Sequence, residues 1–219
     1  MSLTLYSYWR SQAAYRVRIA LALKGIDVEL ESIDLLKGDQ HSDTYRSLNP
    51  GAAVPTLIDG EGPPLVESLA IIEYLDETHS SPPLLPADAR LRAHSRAIAQ
   101  MFAADAHPFI VPRVRKHLAT QLGLDQAGVT AWIRHWMDTA GNAVEVMLAR
   151  DSRTGTFACG DQPTVADLCL VPHFTSAKML YKCDFDAFPT CKRIFDACMT
   201  LEAFSETHPS KQPGYEPGH

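Results

Sequence analysis

Residues 1–25, MSLTLYSYWRSQAAYRVRIALALKG, decide the fold of the first part of the chain. A short apolar strand over 3–8 is predicted to lead into a polar turn, which opens directly onto a segment of helical periodicity ending at Gly25. Ser11 stands where this helix begins, so the first free N–H groups of the helix point at the turn and favour negative charge there. Two basic side chains follow one to two turns later, at Arg16 and Arg18. The stretch predicts a site for an anion or a thiolate, or else simply a helix capped by Ser11.

The composition excludes several classes of function. The chain has 219 residues, 46% of them apolar, and a net charge of −6 with its basic residues scattered. A basic face for nucleic acid is therefore not expected. No apolar run reaches the ~18 residues of a membrane span, and the first residues do not resemble a signal peptide. We expect a cytoplasmic protein that binds neither nucleic acid nor membrane.

The cysteines argue against a disulfide framework and against a metal site. All five lie after residue 158, their number is odd, and no two form a CxxC pair. Such spacing fits neither paired disulfides nor a zinc site. We expect them to be reduced and mostly buried, as small apolar residues are in a cytoplasmic protein.

The chain is predicted to divide at a proline-rich linker, SSPPLLP, at 80–86. Before it, strands and helices follow the order β-α-β-α-β-β-α, which suits a small mixed sheet with helices on its faces. The strands are expected at 3–8, 28–33, 54–58 and 64–67, and the helices over 11–25, over 39–48 and from a cap at Ser68. The predicted domains are 1–82 and 83–219.

Beyond the linker the strand signals vanish, and the second domain is predicted to be all-helical. A long helical region over 87–122 should be bent or broken at Pro108 and Pro112, because each proline removes a helical hydrogen bond. Further helices are expected at 125–149, from a capping box at 164–167 to about 181, and at 190–204. The last dozen residues, rich in proline and glycine, are predicted to be loose or ordered only on contact.

Several motifs together resemble one family. The chain is similar to the cytosolic glutathione transferases. The sequences of its motifs resemble those of the zeta class, which includes maleylacetoacetate and maleylpyruvate isomerases. The likeness covers nearly the whole chain, and the motifs that carry it are YSYWRS with YRVRIALALKGI, LNPGAAVPTL, ESLAIIEYL and TVADLCLVP. It implies a thioredoxin-like α/β domain that binds glutathione, followed by an all-α substrate domain.

The resemblance assigns glutathione to residues of the first domain. It implies a cis Pro55, with the backbone of Val54 offering a strand edge to the peptide. Ser68 and the helix behind it would hold the γ-glutamyl carboxylate, and Glu67 the ammonium group. The remaining cofactor-binding residues expected from the family are Ser11, Gln12 and Ala13 in the turn, Gln40 near the glycyl end, and His107 of the second domain.

Ser11 is the expected catalytic residue. Its hydroxyl would donate a hydrogen bond to the sulfur of glutathione, and with the helix dipole would favour thiolate over a thiol that otherwise ionises near pH ~8.5. The thiolate would add to a conjugated cis double bond, the new single bond would rotate, and elimination would release the trans product. Glutathione is then a coenzyme and is not consumed.

The chain departs from the zeta pattern in two places. The family turn reads Ser-Ser-Cys, whereas this chain has Ser11, Gln12 and Ala13, which argues against reductive dehalogenation but not against isomerisation. Where isomerases of the class carry an arginine after the LVP motif, this chain has Met179 beside Lys178. The substrates are dicarboxylates, for which arginine is the better bidentate partner. The cations expected to contact substrate are therefore Arg10, Arg113 and Lys178, although a solvated helix face also explains Arg113.

Two other functions compete with isomerisation. A zeta-like transferase would conjugate glutathione to small electrophiles such as α-halo acids and would consume it. A non-catalytic binding or assembly module would need neither Ser11 nor Glu67 nor Ser68, which argues against it. The family also implies a homodimer and no metal.

Overall fold

The computed structural model describes residues 3–183 and 186–216, and within them the chain forms two compact units. Unit 1 comprises the chain up to Pro83 and again from Leu201 onward, and unit 2 is Leu84–Thr200. The last three residues of the predicted tail lie outside the described residues. No helix among those described is long and apolar enough to cross a membrane.

The sheet of unit 1 has four strands in the order β2-β1-β3-β4. Strand β2 runs parallel to β1, β3 runs antiparallel to β1, and β4 runs antiparallel to β3. Leu5 and Leu57 face each other across β1 and β3 and are fully buried, which places the core at the middle of the sheet. This small mixed sheet confirms the predicted thioredoxin-like domain, and its strands are β1 (Leu3–Ser7), β2 (Val28–Ser32), β3 (Thr56–Asp59) and β4 (Leu65–Val66).

The helices of unit 1 are α1 (Gln12–Leu23), α2 (Asp43–Leu48) and α3 (Ser68–Thr78), and α1 packs on α3. Gly25 follows α1 with φ +62°, a left-handed conformation that glycine adopts without strain and that ends the helix. The single helix predicted over 39–48 is instead a 3₁₀ turn, Asp39–His41, followed by α2. The break occurs at Ser42, whose extended backbone caps α2 while its hydroxyl accepts from the Tyr45 N–H.

Unit 2 is all-helical, as predicted: its described residues hold no β-strand beyond one isolated bridge. The predicted breaks at the prolines are present, because Pro108 and Pro112 each stand in the first turn of a new helix, where no N–H is needed. The helices are α4 (Ala89–Ala103), α5 (His107–Ile110), α6 (Pro112–Gln121), α7 (Gln126–Arg150), α8 (Val165–Tyr181) and α9 (Pro189–Met199).

The predicted capping box begins α8. The Asp167 carboxylate is fully buried and accepts hydrogen bonds from the Ala158 N–H and the Thr164 N–H, both at 2.8 Å. Burial raises the pKa of Asp167 to about 6, against the opposing effect of these hydrogen bonds. The box therefore joins the start of α8 to the loop before it.

The segment from Leu201 onward corrects the predicted domain 83–219, because it packs with unit 1. It forms α10 (Glu202–Ser205) and a 3₁₀ turn, Pro209–Lys211, instead of continuing one helix to 204. The Tyr15 hydroxyl donates to the Phe204 carbonyl at 2.8 Å, and the Tyr215 ring meets Trp9 edge-on at 5.1 Å. These contacts with α1 and with the turn before it hold the segment on unit 1.

Candidate active site

The turn between β1 and α1 holds Ser11 at the N-cap of the helix. The Ser11 N–H donates to the Tyr8 carbonyl at 3.0 Å, and the Ser11 Oγ accepts from the Ala14 N–H at 3.2 Å. A hydroxyl that accepts one hydrogen bond still has its own hydrogen to donate. Ser11 is half-buried, so this donor lies at the surface of unit 1, at the positive end of a 12-residue helix.

The two residues after Ser11 begin α1. Gln12 is only 5% exposed, and its Oε1 is buried without a hydrogen-bond partner among the described residues. Ala13, the second of these residues, is half-buried, and so is Arg10, which precedes Ser11. The turn thus presents one hydroxyl, a buried amide and a partly buried guanidinium within four consecutive residues.

The peptide bond between Val54 and Pro55 is cis, which confirms that prediction. Strand pairing begins only at Thr56, so Val54 lies just before β3. The loop before it is anchored at the Ala53 carbonyl, which accepts from the Tyr45 hydroxyl at 2.6 Å and from Asn49 Nδ2 at 2.9 Å. Sequence reasoning missed these anchors.

The start of α3 corrects the prediction that Ser68 is a helix cap. Glu67 is the N-cap, with φ +69° and no side-chain capping bond, and Ser68 is the first residue of the helix. This conformation costs a non-glycine residue on the order of 1–3 kcal/mol. The Glu67 side chain is exposed, whereas Ser68 is 5% exposed.

Arg16 lies behind Ser68. Its side chain is 1% exposed, and its Nη1 donates to the Ser68 Oγ at 3.2 Å. Because the guanidinium fills one lone pair of that oxygen, the Ser68 hydroxyl keeps its hydrogen for another acceptor. The helix N-terminus and the buried cation both favour an anion at Ser68.

Gln40 lies apart from these residues in sequence, in the 3₁₀ turn before α2. Its Nε2 donates to the Leu35 carbonyl at 3.4 Å, and its buried Oε1 has no partner among the described residues. The side chain is half-buried and is fixed by the chain that follows β2.

The candidate residues of unit 2 occupy three helices. His107 is the first residue of α5 and is half-buried, whereas Arg113 on α6 and Lys178 on α8 are exposed. Sequence reasoning missed Arg115, which is half-buried and whose Nη1 donates to the Tyr181 hydroxyl at 3.3 Å. The sequence did not distinguish Arg115 from Arg113, because both arginines belong to one charged stretch of α6.

None of the candidate site residues is a cysteine. No disulfide joins any of the five cysteines, which all lie within the described residues, and four of them are buried. In the part of the chain that the structure describes, no three His, Cys, Asp or Glu side chains form a group suited to a metal ion. Unit 1 instead offers helix N-termini that bear serines: Ser11 at α1, Ser42 at α2 and Ser68 at α3.

Comparison with known proteins agrees with this geometry. Residues 5–83 match the model of the glutathione S-transferase N-terminal domain. The structure of a maleylacetoacetate isomerase from Methylobacterium extorquens AM1, with bound malonate and glutathione, has a TM-score of 0.95 and 44% identity, covering 97% of this chain and 99% of that one.

Two further structures are similar over nearly their full length. A bacterial zeta-class maleylpyruvate isomerase has a TM-score of 0.94 and 38% identity, covering 97% of this chain and all of that one (100%). A maleylacetoacetate isomerase from Anaeromyxobacter dehalogenans 2CP-1, with bound dicarboxyethyl glutathione and citrate, has a TM-score of 0.86 and 35% identity, covering 99% and 98%. This chain therefore belongs to the zeta-class glutathione transferases, the family of the maleylacetoacetate and maleylpyruvate isomerases.

Proposed function

We propose that the protein is a glutathione-dependent cis–trans isomerase of maleylacetoacetate or maleylpyruvate, two intermediates of aromatic and tyrosine catabolism. The observation that carries this proposal is Ser11, a half-buried hydroxyl with a hydrogen to donate at the N-terminus of α1. A donor and a helix dipole at one point suit a thiolate better than a thiol.

Glutathione would lie along unit 1 with its sulfur at Ser11. Its peptide backbone would pair with Val54, as a short antiparallel strand does at a sheet edge. The γ-glutamyl carboxylate would accept from the Ser68 hydroxyl, supported by Arg16 behind it, and the ammonium group would face Glu67. The other residues assigned to glutathione are Gln12, Ala13, Gln40 and His107.

The reaction consists of addition, rotation and elimination. The thiolate forms a C–S bond to the alkene carbon β to the carbonyl, and the π electrons move to the carbonyl oxygen as an enolate. The former double bond is now single and rotates. The enolate then collapses and expels the thiolate, which restores the double bond in the trans form. The relative that binds dicarboxyethyl glutathione holds a thioether of the kind that such an addition produces.

Ser11 would contribute chiefly by lowering the pKa of the bound thiol. A free thiol has a pKa of about 8.5, so a shift of one to two units makes it largely ionised at neutral pH. The same hydrogen bond stabilises the thiolate when it leaves. Ser11 therefore acts in both the addition and the elimination.

The two carboxylates of the substrate would be held by basic side chains of this chain. We assign this role to Arg10 in the turn and to Arg113 and Lys178, which are exposed in unit 2. Relatives in the family bind malonate and citrate alongside glutathione or its conjugate, and these ligands are carboxylates. Because Lys178 is a point charge, it would orient a carboxylate less strictly than a bidentate arginine does.

A conjugating transferase is the second candidate. It is favoured by Met179, which stands where the related isomerases are expected to have arginine, and by Ala13 in place of cysteine. Such an enzyme would attach glutathione to small electrophiles such as α-halo acids. It differs from the isomerase in consuming one glutathione for each turnover.

We further propose that the protein is a homodimer, in which the first domain of one protomer packs on the second domain of the other, and that it works in the cytoplasm. The five cysteines, none of which forms a disulfide in the described residues, suit a reducing compartment. Sedimentation of the purified protein tests the dimer.

The deciding experiment measures turnover at catalytic glutathione. Each substrate is supplied in large excess over glutathione, and the absorbance of the product is followed with the wild-type protein and with Ser11→Ala. Turnover far above the glutathione supplied, and strongly reduced in Ser11→Ala, is expected. Consumption of glutathione by dichloroacetate, with no turnover of either isomerase substrate, would identify the conjugating transferase. Failure to bind immobilised glutathione would leave a non-catalytic module.

A further inference from the structure

Arg18 is a buried cation on the far side of the Ser11 turn. Its side chain is 3% exposed, and its guanidinium donates to three consecutive residues that precede the turn. The acceptors are the Ser7 Oγ at 2.9 Å, the Tyr8 carbonyl at 3.4 Å and the Trp9 carbonyl at 3.4 Å. One side chain thus fixes the end of β1 and the chain that leads to Ser11.

The Tyr8 carbonyl links Arg18 directly to Ser11. This oxygen accepts from Arg18 Nη1 and also from the Ser11 N–H, the bond that closes the turn. The position of Ser11 is therefore set partly by where Arg18 holds the Tyr8 carbonyl. A hydrogen-bond donor must lie within a few tenths of an ångström of its place to act on a thiolate.

In the part of the chain that the structure describes, the side chain of Arg18 is held by neutral acceptors. Among residues 3–183 and 186–216, no carboxylate forms an ion pair with it, and its hydrogen-bond acceptors are one hydroxyl and three carbonyls. Burial lowers the pKa of Arg18 to about 10, so it remains charged at neutral pH. The Tyr15 ring lies 5.3 Å from the guanidinium, and the His208 ring packs edge-on against the Tyr15 ring. A buried charge without an ion pair is costly, and a purely structural role does not require it.

Arg18 also joins the turn to the end of the chain. Its Nε donates to the Thr207 carbonyl at 3.3 Å, and nearby the Tyr215 ring packs edge-on against Trp9. The segment from Leu201 onward therefore contacts both Arg18 and Trp9. The turn is held between its own strand and this segment, with Arg18 as the common donor.

We infer that Arg18 is a positioning residue for the thiolate site: it holds the backbone that carries Ser11 and anchors it to the C-terminal segment. This inference rests on the proposed function, since it presumes that Ser11 serves bound glutathione. The chemistry of glutathione is untouched by Arg18 itself. Its effect passes through the Tyr8 carbonyl to Ser11.

The test compares Arg18→Lys with the wild type. Lysine keeps the positive charge but lacks the planar fork that reaches Ser7, Tyr8 and Trp9 together. The pKa of bound glutathione, followed by the ultraviolet absorbance of its thiolate, should rise by about one unit, a roughly tenfold loss of thiolate at low pH. The kcat should fall below that pKa and recover above it, with the KM for glutathione little changed. Arg46→Lys, an exposed arginine on α2, is the matched control.

A second variant covers the case in which Arg18→Lys does not fold. Ser7→Ala removes the acceptor of the shortest bond and leaves the guanidinium in place, so a smaller rise in the same thiol pKa is expected. A folded variant whose bound thiol titrates like the wild type, with activity reduced equally at all pH values, overturns the inference. If wild-type protein itself shows no bound thiolate, the proposed function fails instead, and the two failures are distinguished.

Discussion

The two helix N-termini of unit 1 that we assign to glutathione both present serines, and they are built in opposite ways. At α1, Ser11 is the N-cap, half-buried, with its Oγ bonded to its own helix. At α3, Ser68 is the first helical residue, buried, with the Arg16 guanidinium on its Oγ and a strained Glu67 as the cap. The first arrangement supplies neutral donors for a polarisable thiolate, and the second adds a full positive charge that suits a carboxylate. A helix dipole alone does not specify which anion is bound.

The largest expected effect tests the α1 arrangement. Ser11→Ala should lower kcat/KM by about 10²–10³, because it removes a donor aimed at the reacting sulfur. Glutathione affinity should change little. Steady-state kinetics and isothermal calorimetry measure the two quantities.

Ser42→Ala is the matched control for the loss of a cap. Ser42 is the exposed N-cap of α2 and accepts from Tyr45 as Ser11 accepts from Ala14. Both variants should lose about 1 kcal/mol of stability, but only Ser11→Ala should lose activity. Equal activity losses in the two variants would mean that helix stability, not the hydroxyl, supports the reaction.

The N-terminus of α8 provides a purely structural reference. At α8, the Asp167 carboxylate accepts hydrogen bonds from two buried backbone N–H groups. Asp167→Ala should therefore destabilise the protein by about 3 kcal/mol, because those donors lose their acceptor. Asp125→Ala, at the exposed cap of α7, should cost only about 1 kcal/mol. Urea titration measures both. Comparable losses of stability in the two variants would show that burial of the carboxylate does not increase the cost of removing it.

The raised pKa of Asp167 predicts that the stability of the protein depends on pH. Because burial raises the pKa of Asp167 to about 6, above its usual 3.8, the folded protein binds this proton more tightly than the unfolded chain. Its contribution to stability is full below pH 3.8 and is lost as the pH rises through about 6. Asp167→Ala should flatten this part of the profile, and an unchanged slope would assign it to other groups.

Ser68→Ala tests the α3 arrangement and should affect binding more than chemistry. Removal of the hydroxyl takes one donor from the glutathione carboxylate and leaves Arg16 Nη1 without its acceptor. A loss of about 1.5–2 kcal/mol, roughly tenfold or more in the Kd for glutathione, is expected, with kcat nearly unchanged. Ser47→Ala on the exposed face of α2 is the control. A fall in kcat without a change in Kd would give the two serines the same role.

The features of the fold and of the site that the sequence predicted depend mostly on short-range patterns of residues. The Ser11 cap, the end of α1 at Gly25 and the capping box at Asp167 each depend on residues within a few positions of one another. The cis Pro55 came from a family resemblance and not from spacing. Each of these agrees with the structure.

The parts that sequence did not predict depend on long-range contacts. Phe204 accepts from Tyr15, 189 positions away, and nothing near residue 204 indicates that its segment belongs with unit 1. Arg16 and Arg18 are nearly fully buried, although arginines in a helix ordinarily face solvent. The left-handed backbone of Glu67 was equally hidden, since Ser68 fits the common pattern of a helix cap.

Glu67→Gly gives the smallest expected effect and separates strain from binding at α3. Glycine adopts φ +69° freely, so the substitution should leave stability unchanged or raise it by up to about 1 kcal/mol. Loss of the carboxylate should nevertheless weaken glutathione binding several-fold, because the ammonium group loses its partner. Glu67→Gln, which keeps the backbone strain but removes the charge, should weaken binding to a similar degree without the gain in stability. If Glu67→Gly is less stable than Glu67→Gln, the side chain at position 67 stabilises the start of α3. The positive φ of Glu67 would then not be a cost to stability that ligand binding has to explain.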